Sequence, residues 1–339
     1  MATIKEVARR ARVSVGTVSN VLGNDIPVSA ELRQRVERVM RELNYHPSHA
    51  ARSLKSRRTQ TIGVVISDLT NPFFPLVSRG AEDAALKRGY LLNIFNTDDQ
   101  LERERRVVAI LRARRMDGVL AVVSPHSASA KHLRELMDAD IAVVCMDRMP
   151  ANLDVDGVFV DNLKGALICV RHLIAMGHTS IGMITGPLDL QTSRDRIKGY
   201  QAALQESGIS PDPDLLKIGD FRFEGGYKLG KALCLHHPRP TALFASNGTM
   251  GLGMIKAIQE LGLQCPDDVA VAVFDDIPGA DVFRPTITVV SQPAYEIGYR
   301  ATELLIERIT GENTSGSSIA IMLEPELKVR ESTVLLLKR

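Results

Sequence analysis

From residue 61 onward the chain alternates short β-branched runs with stretches of helical spacing, and this alternation restricts the fold more than any other feature. Strand-like runs fall at 62–66, 91–95, 118–123, 142–146 and 158–160, and a second set at 181–185, 242–245 and 269–274. Amphipathic helical patterns fill the intervals. Strands interleaved with helices are the signature of βαβ units, and therefore of parallel, doubly wound sheets. Two such sets predict two α/β lobes. The 45% hydrophobic content is ample for their cores.

The first 60 residues read differently. They hold 12 Lys+Arg against 5 Asp+Glu, whereas the remaining chain holds 30 against 35. A basic head on a mildly acidic body suits a phosphate-binding module joined to a receptor, although a merely solvated basic face has the same charge. Thr3 and Glu6 form a T-x-x-E capping box before Ile4, Val7, Ala8 and Ala11, which recur at helical spacing. Ser14 can cap a second helix with Val18, Val21 and Leu22 on its inner side, ended by Gly23-Asn24. Only Arg12-Val13 separate the two, the tight joint of a helix-turn-helix. Ser29 caps a third helix with Leu32, Val36, Val39, Met40 and Leu43 along one side. Three short helices would also suit an ordinary packing bundle. In a helix-turn-helix the start of the second helix meets base edges, here Val15, Gly16 and Thr17, with Asn20 one turn on. Asn pairs with adenine in two places, and Val suits a thymine methyl.

Asn44-Tyr45-His46-Pro47 then breaks the third helix, and Ser48 caps a further segment of about two turns ending near Ser56. So short a helix is marginal alone in water and is expected to order on DNA and on its twin from a second subunit. Ala50 and Ala51 allow a close crossing of two such helices. Leu54 suits a wedge that unstacks a base step in the minor groove, although an isolated Leu would equally pack back on a core.

These stretches carry a resemblance. Residues 1–60 resemble the DNA-binding head of the LacI/GalR repressor family through Thr3-Ile4-Lys5-Glu6-Val7-Ala8, Val13-Ser14-Val15-Gly16-Thr17-Val18-Ser19 and Ala51-Arg52-Ser53-Leu54-Lys55. Thr61-Ile62-Gly63-Val64-Val65 then opens the body as that family does, and the similarity runs over nearly the whole chain. The resemblance implies a helix-turn-helix domain at 1–46, a hinge helix and linker at 47–60, and an effector-binding and dimerisation core at 61–339. The core would have the periplasmic-binding-protein type I fold, with three crossovers between its lobes. Its N-lobe would span about 61–161 and 291–322, its C-lobe about 162–290 and 323–339, and the helix near 295–309 would return to the first lobe. It further implies a homodimer on a near-palindromic double-stranded operator. DNA contacts would come from Thr3, Ser14, Val15, Gly16, Thr17, Asn20, Ser29, Tyr45, Ala51, Arg52, Leu54 and Lys55.

Ligands of open α/β sheets bind beyond the carboxyl ends of the strands. The residues found there include 68–74, Asp147-Arg148, Arg194-Asp195-Arg196, Phe221, Asn247, Asp275-Asp276 and Gln292. They mix amides, carboxylates and guanidinium forks with aromatic rings. Sugars need that mixture, because each hydroxyl both donates and accepts while a C–H face stacks on a ring. Arg194 taken alone reads as an ion-pair partner and Asp276 as a helix cap. The set resembles the binding residues of ribose-binding periplasmic proteins at Asn71, Phe73, Phe74, Asp147, Arg148, Arg196, Phe221, Asn247, Asp275 and Gln292. That resemblance implies ribose or a close pentose or hexose as effector. Two positions depart from the family pattern: Gly248 where Asp is usual, and Val273 where Gly is usual. Sugar would close the lobes, turn the first lobes at their shared interface, melt the hinge and withdraw Leu54. A swing from mostly bound to mostly free needs roughly 5 kcal/mol of differential affinity.

Other readings remain. The head also resembles the purine-repressor branch, where the small molecule would strengthen operator binding. An enzyme would cast Asp147, Asp195 and Asp275 as acid/base groups, but there is no nucleophile elbow, Walker loop or metal-ligand cluster, and no cofactor is expected. His236-His237 before Pro238 reads as surface loop. Cys145, Cys169, Cys234 and Cys265 are widely spaced with no C-x-x-C pair, as expected of free thiols in a reducing compartment. The N-terminus carries no apolar leader, no run is long enough for a bilayer, and the final residues are too short for a tetramerising coiled coil. A cytoplasmic dimer is expected.

Overall fold

A computed structural model describes residues 2–23, 27–45, 58–125, 130–150, 152–312 and 316–334. The chain divides into two compact units, 1–60 and 61–339. No helix among the described residues is long and apolar enough to cross a membrane.

The smaller unit is built of α1 (Ile4–Ala11), α2 (Val15–Gly23) and α3 (Ala30–Glu42). Each start is capped as its sequence dictates. Thr3 Oγ1 accepts from the Glu6 amide at 3.3 Å, Ser14 Oγ from Thr17 at 3.0 Å and Ser29 Oγ from Leu32 at 3.4 Å. The Glu6 carboxylate lies 3.9 Å from Arg9. Arg12 adopts φ 53° to end α1, so the joint to α2 is Arg12–Ser14. Val7, Ala8, Ala11, Val18, Val21, Val36 and Val39 form the core, with Leu22, Met40, Leu43 and Tyr45 packed around it. The expected hinge residues, including Ala50, Ala51, Arg52, Leu54 and Lys55, lie outside the described residues, as does Asn24.

The larger unit begins with β1 (Thr61–Ile66), α4 (Phe73–Lys87), β2 (Leu91–Asn96), α5 (Leu101–Ala113), β3 (Gly118–Ala121), α6 (Lys131–Met137), β4 (Ala142–Met146) and β5 (Asp156–Val160). A second series follows: α7 (Asn162–Ala175), β6 (Ile181–Thr185), α8 (Gln191–Glu206), β7 (Leu216–Ile218), α9 (Phe223–Cys234), β8 (Ala242–Ala245), α10 (Gly248–Glu260), β9 (Ala270–Phe274) and β10 (Thr288–Ser291). The chain closes with α11 (Ala294–Thr310), β11 (Ala320–Leu323) and β12 (Glu326–Lys328). One sheet runs β11-β5-β4-β3-β1-β2 and the other β12-β10-β9-β8-β6-β7. All pairings are parallel except β10 with β12, which is antiparallel.

The two sheets are the two lobes. Their central strands are buried but for Thr61 at the start of β1, as helices on both faces of a parallel sheet require. The chain passes between lobes after β5, after β10 and after β11. The helix α11 therefore packs on the first lobe, where Ile297, Ala301 and Leu305 meet Ile62, Leu120 and Val144. Three strands escaped the sequence pattern. β7 and β12 have three residues each, and β11 has four with an alternating exposed face. Runs so short give no period to read.

Candidate functional site

In each lobe the strand order reverses between two neighbours, β1 and β3 in one and β6 and β8 in the other. The loops at those carboxyl ends face each other across a cleft. Its lining includes Asn71, Phe73, Phe74, Asp147, Arg148, Arg196, Phe221, Asn247, Asp275 and Gln292, so all ten residues expected from the sequence meet around one cavity. Ser67, Asp68, Asp99, Thr192 and Arg222 complete the wall.

Repeated backbone geometry presents these side chains. Asp147 follows β4 with φ 62°, and its amide donates to Val158 of β5 at 3.1 Å. Asp275 follows β9 with φ 78°, and its amide donates to Val290 of β10 at 2.9 Å. Each lobe thus turns a carboxylate out of its sheet at the same place. Phe221 beyond β7, φ 62°, and Asp99 beyond β2, φ 58°, repeat the device one loop over.

The polar groups brace one another. Arg148 Nη1 donates to Asp99 at 2.5 Å and to the Val123 carbonyl at 3.1 Å. Gln292 Nε2 donates to Asp275 Oδ1 at 2.5 Å, and the Gly248 amide, at the N-terminus of α10, donates to Oδ2 at 3.3 Å. Asn247 caps that helix through Met250 at 2.9 Å and donates to the Phe221 carbonyl at 3.2 Å. Arg196 places its guanidinium carbon over the Phe274 ring, 3.8 Å from its centroid, and donates to Asn162 at 2.8 Å and to the Ser246 carbonyl. Burial lowers the pKa of Arg196, and Asp275 and Asp147 oppose that shift. Burial also raises the Asp147 carboxyl above its ordinary range, opposed by Arg148 and Arg196.

Several buried atoms are left over. Ser67 Oγ and Gln292 Oε1 are buried without a hydrogen-bond partner, and Arg148 Nε makes no hydrogen bond but lies 3.5 Å from Asp147 Oδ2. An orphaned buried polar atom costs about 1–3 kcal/mol, so these positions favour a ligand rich in hydroxyls. Phe73 and Phe74 meet edge to face, 5.1 Å between centroids, at the opening of α4 and supply apolar wall beside them.

The remaining expected positions fall elsewhere. Asp276 is not a helix cap: it pairs with Lys328 of β12 at 2.8 Å, because the chain turns towards the next strand. Arg194 donates to the Leu188 carbonyl at 2.8 Å and is not among the cleft-lining residues. Asp195 pairs with Lys198 on the same helix and is not among the cleft-lining residues, so the acid/base trio needed for an enzyme does not assemble. His236 hydrogen-bonds the Pro238 carbonyl within its own turn. Cys145, Cys169 and Cys234 are buried and Cys265 half-buried, all as free thiols.

The two departures have structural consequences. A Cβ at Gly251 would lie 2.6 Å from Val273 Cγ1, so Val273 occupies space that Gly251 leaves open. A Cβ at Gly248 would have ordinary room, 3.6 Å from Asp275 Cβ, and an aspartate there would set a second carboxylate beside Asp275.

Within the smaller unit, Val15, Gly16, Thr17 and Asn20 occupy the first two turns of α2. Val15 is 42% exposed although apolar, while Thr17 and Asn20 are half-buried and the Ser14 hydroxyl lies 2.9 Å from that of Thr17. Thr3 and Ser29 are exposed at their helix starts, and Tyr45 packs against the core.

Residues 3–48 match the model of bacterial regulatory proteins of the lacI family, and residues 170–333 match a periplasmic binding protein-like domain. The ribose operon repressor of Escherichia coli (strain K12) is 40% identical over 313 residues, covering 91% of this chain and 94% of that protein. The chain belongs to the LacI family. This LacI-family protein is a sequence-specific DNA-binding transcriptional regulator, and its relatives are regulators, not enzymes. The purine branch is also represented: the HTH-type transcriptional repressor PurR of Aliivibrio fischeri (strain MJ11) is 36% identical with full coverage of both chains. Among solved structures, a LacI-family transcriptional regulator from Enterococcus faecium with bound ribose is 27% identical, with a TM-score of 0.72 over 81% of this chain and 99% of that one.

The cleft residues missed by sequence reasoning were partly within reach. Asp99 follows the run at 91–95 and Ser67 the run at 62–66, where the strand-end rule directs attention. Thr192 opens a helix, and Arg222 follows a three-residue strand; neither has a sequence signal of its own.

Proposed function

We propose that this LacI-family regulator represses sugar-utilisation genes from a near-palindromic operator and is released by ribose or a close pentose or hexose. The observation that carries the effector half is the cleft itself, in which four carboxylates, two buried guanidinium groups, two amides that brace the wall and three phenylalanines share one cavity with buried polar atoms that lack hydrogen-bond partners. Aldose hydroxyls satisfy such atoms in pairs, and a ring face stacks on phenylalanine. Names and ligands among the relatives support ribose over a purine, since identity to the ribose operon repressor exceeds that to PurR. Residues Asn71, Phe73, Phe74, Asp147, Arg148, Arg196, Phe221, Asn247, Asp275 and Gln292 are proposed to hold the sugar.

On the DNA side, Val15, Gly16, Thr17 and Asn20 are proposed to meet base edges in the major groove, with Thr3, Ser14, Ser29 and Tyr45 placing α2 against the backbone. Residues 1–46 would form the reading head, 47–60 the hinge, where Ala51, Arg52, Leu54 and Lys55 engage the minor groove, and 61–339 the receptor. A homodimer is the proposed working form. Its support is the apolar surface that α4 and the edge strand β2 leave exposed, with Leu76, Leu86, Leu91 and Ile94 each between 45% and 57% accessible. A repressor of this kind works in the cytoplasm.

Gel shifts of a palindromic site with and without ribose test the whole reading, with calorimetry supplying the sugar affinity. Saturating ribose is expected to release the operator. Tighter operator binding on adding ribose, or no heat with any aldose, would overturn it.

A further inference from the structure

Arg222 belongs to the second lobe, where it leads into α9, yet its guanidinium reaches the first. Nη1 donates to Asp68 Oδ2 at 2.8 Å, beyond β1, and Nη2 to the Asp98 carbonyl at 3.5 Å, beyond β2. Both ends are held in place. Asp68 Oδ1 is occupied by the Thr70 amide at 2.9 Å and hydroxyl at 2.6 Å, which leaves Oδ2 for the arginine. The Arg222 amide donates to Asp220 Oδ1 at 2.9 Å, fixing the base of the side chain. The ion pair sits at the rim: the arginine side chain is 42% exposed and that of Asp68 11%.

We infer that Asp68 and Arg222 form a latch across the cleft mouth that sets the lobe-closing equilibrium, and hence effector sensitivity, without having to touch the sugar. This rests on the reading that sugar binding closes the lobes. The pair joins loops of different lobes, so it forms only when those loops come together. Apparent affinity is the intrinsic affinity scaled by the fraction of closed protein, so a contact that favours closure tightens binding of any ligand of the closed form. An exposed ion pair at this position is worth about a two- to five-fold change in that fraction, and salt screens it. The ten sugar-site residues govern which ligand is held; the latch governs how much of it is needed.

Salt separates the two roles, because ribose is uncharged. The full-length protein is titrated with ribose by calorimetry at increasing sodium chloride, alongside Arg222→Met and the charge-exchanged double variant Asp68→Arg/Arg222→Asp. The wild type is expected to lose about two- to five-fold in affinity as screening rises. Arg222→Met should start weaker by a similar factor and stay level with salt, and the exchanged pair should recover most of the loss. A single variant that keeps the wild-type salt dependence would overturn the latch. So would a loss of more than about tenfold at every salt concentration, the mark of direct sugar contact, or an exchanged pair no better than the single variant. Distances between spin labels at Glu102→Cys and Asp212→Cys, one in each lobe, read the latch without sugar. If no aldose binds the wild type but Arg222→Met lengthens that distance, the ribose reading fails and the latch stands. Equal distances in both proteins would sink the latch itself.

Discussion

Asp147, Asp275 and Phe221 hold backbone angles that side chains other than glycine disfavour, with φ of 62°, 78° and 62°. Each such residue costs on the order of 1–2 kcal/mol. The return is direction: a strand continued normally would point the next side chain into one face of the sheet, whereas these turns aim it across the cleft. Asn tolerates the same conformation, so Asp275→Asn isolates the charge. It leaves a single acceptor for Gln292 Nε2 and the Gly248 amide, which now use separate oxygens. Ribose affinity should fall about 10- to 100-fold by calorimetry, the range for a hydrogen bond to a charged group, with the melting temperature lowered by about a few degrees for the donor left unpaired. Asp147 supplies a pH test. Burial raises its folded pKa above the unfolded value, so its contribution to stability is present at low pH and lost as pH rises through the folded pKa. A sugar hydroxyl needs the ionised form as acceptor, so affinity should rise over the same interval while this contribution to stability falls. Asp147→Asn should flatten both profiles in calorimetric and thermal titrations. The ten cleft positions were legible in sequence because they recur as a set; single polar residues such as Thr192 and Arg222 look like any loop residue until the fold brings them to the rim.

At the scale of elements, α4 and α11 approach so closely that a Cβ on Gly298 would lie 1.8 Å from the Val77 carbonyl oxygen, and one on Gly80 1.9 Å from that of Tyr295. Backbone cannot yield as a flexible side chain does. Gly298→Ala should therefore destabilise by about 2 kcal/mol or more in urea unfolding, at the upper end of overpacking costs. Gly316→Ala, with open space around it, should be neutral. The helices of the smaller unit were readable down to their caps, because Thr3, Ser14 and Ser29 each stand before an apolar period. The strands β7, β11 and β12 were not, since three or four residues at a sheet edge carry almost no burial pattern.

For the whole molecule, residues 61–339 form a compact unit with their own cores. Expressed alone, they should bind ribose within about two-fold of the full chain, since every cleft residue lies within them, and should not shift operator DNA. Loss of sugar binding on removing 1–60 would contradict that independence. The two lobes were legible in the strand–helix alternation, but their three crossings were legible only through the family resemblance, because nothing in local composition distinguishes a connection that stays in its sheet from one that leaves it. Those crossings shape how the protein is made. Five of the six strands of the first sheet are translated by residue 160, yet α11, which covers Leu120 and Val144, is not complete until residue 310, nor β11 until residue 323. At a ribosomal pace of about 5–20 residues per second, the part of this apolar sheet face that α4 does not cover waits on the order of ten seconds for α11 while most of the second lobe is synthesised. The nascent chain is thus exposed to chaperone capture and to wrong pairings throughout that interval, and folding of the receptor ends with the late helix settling back onto its earliest strands.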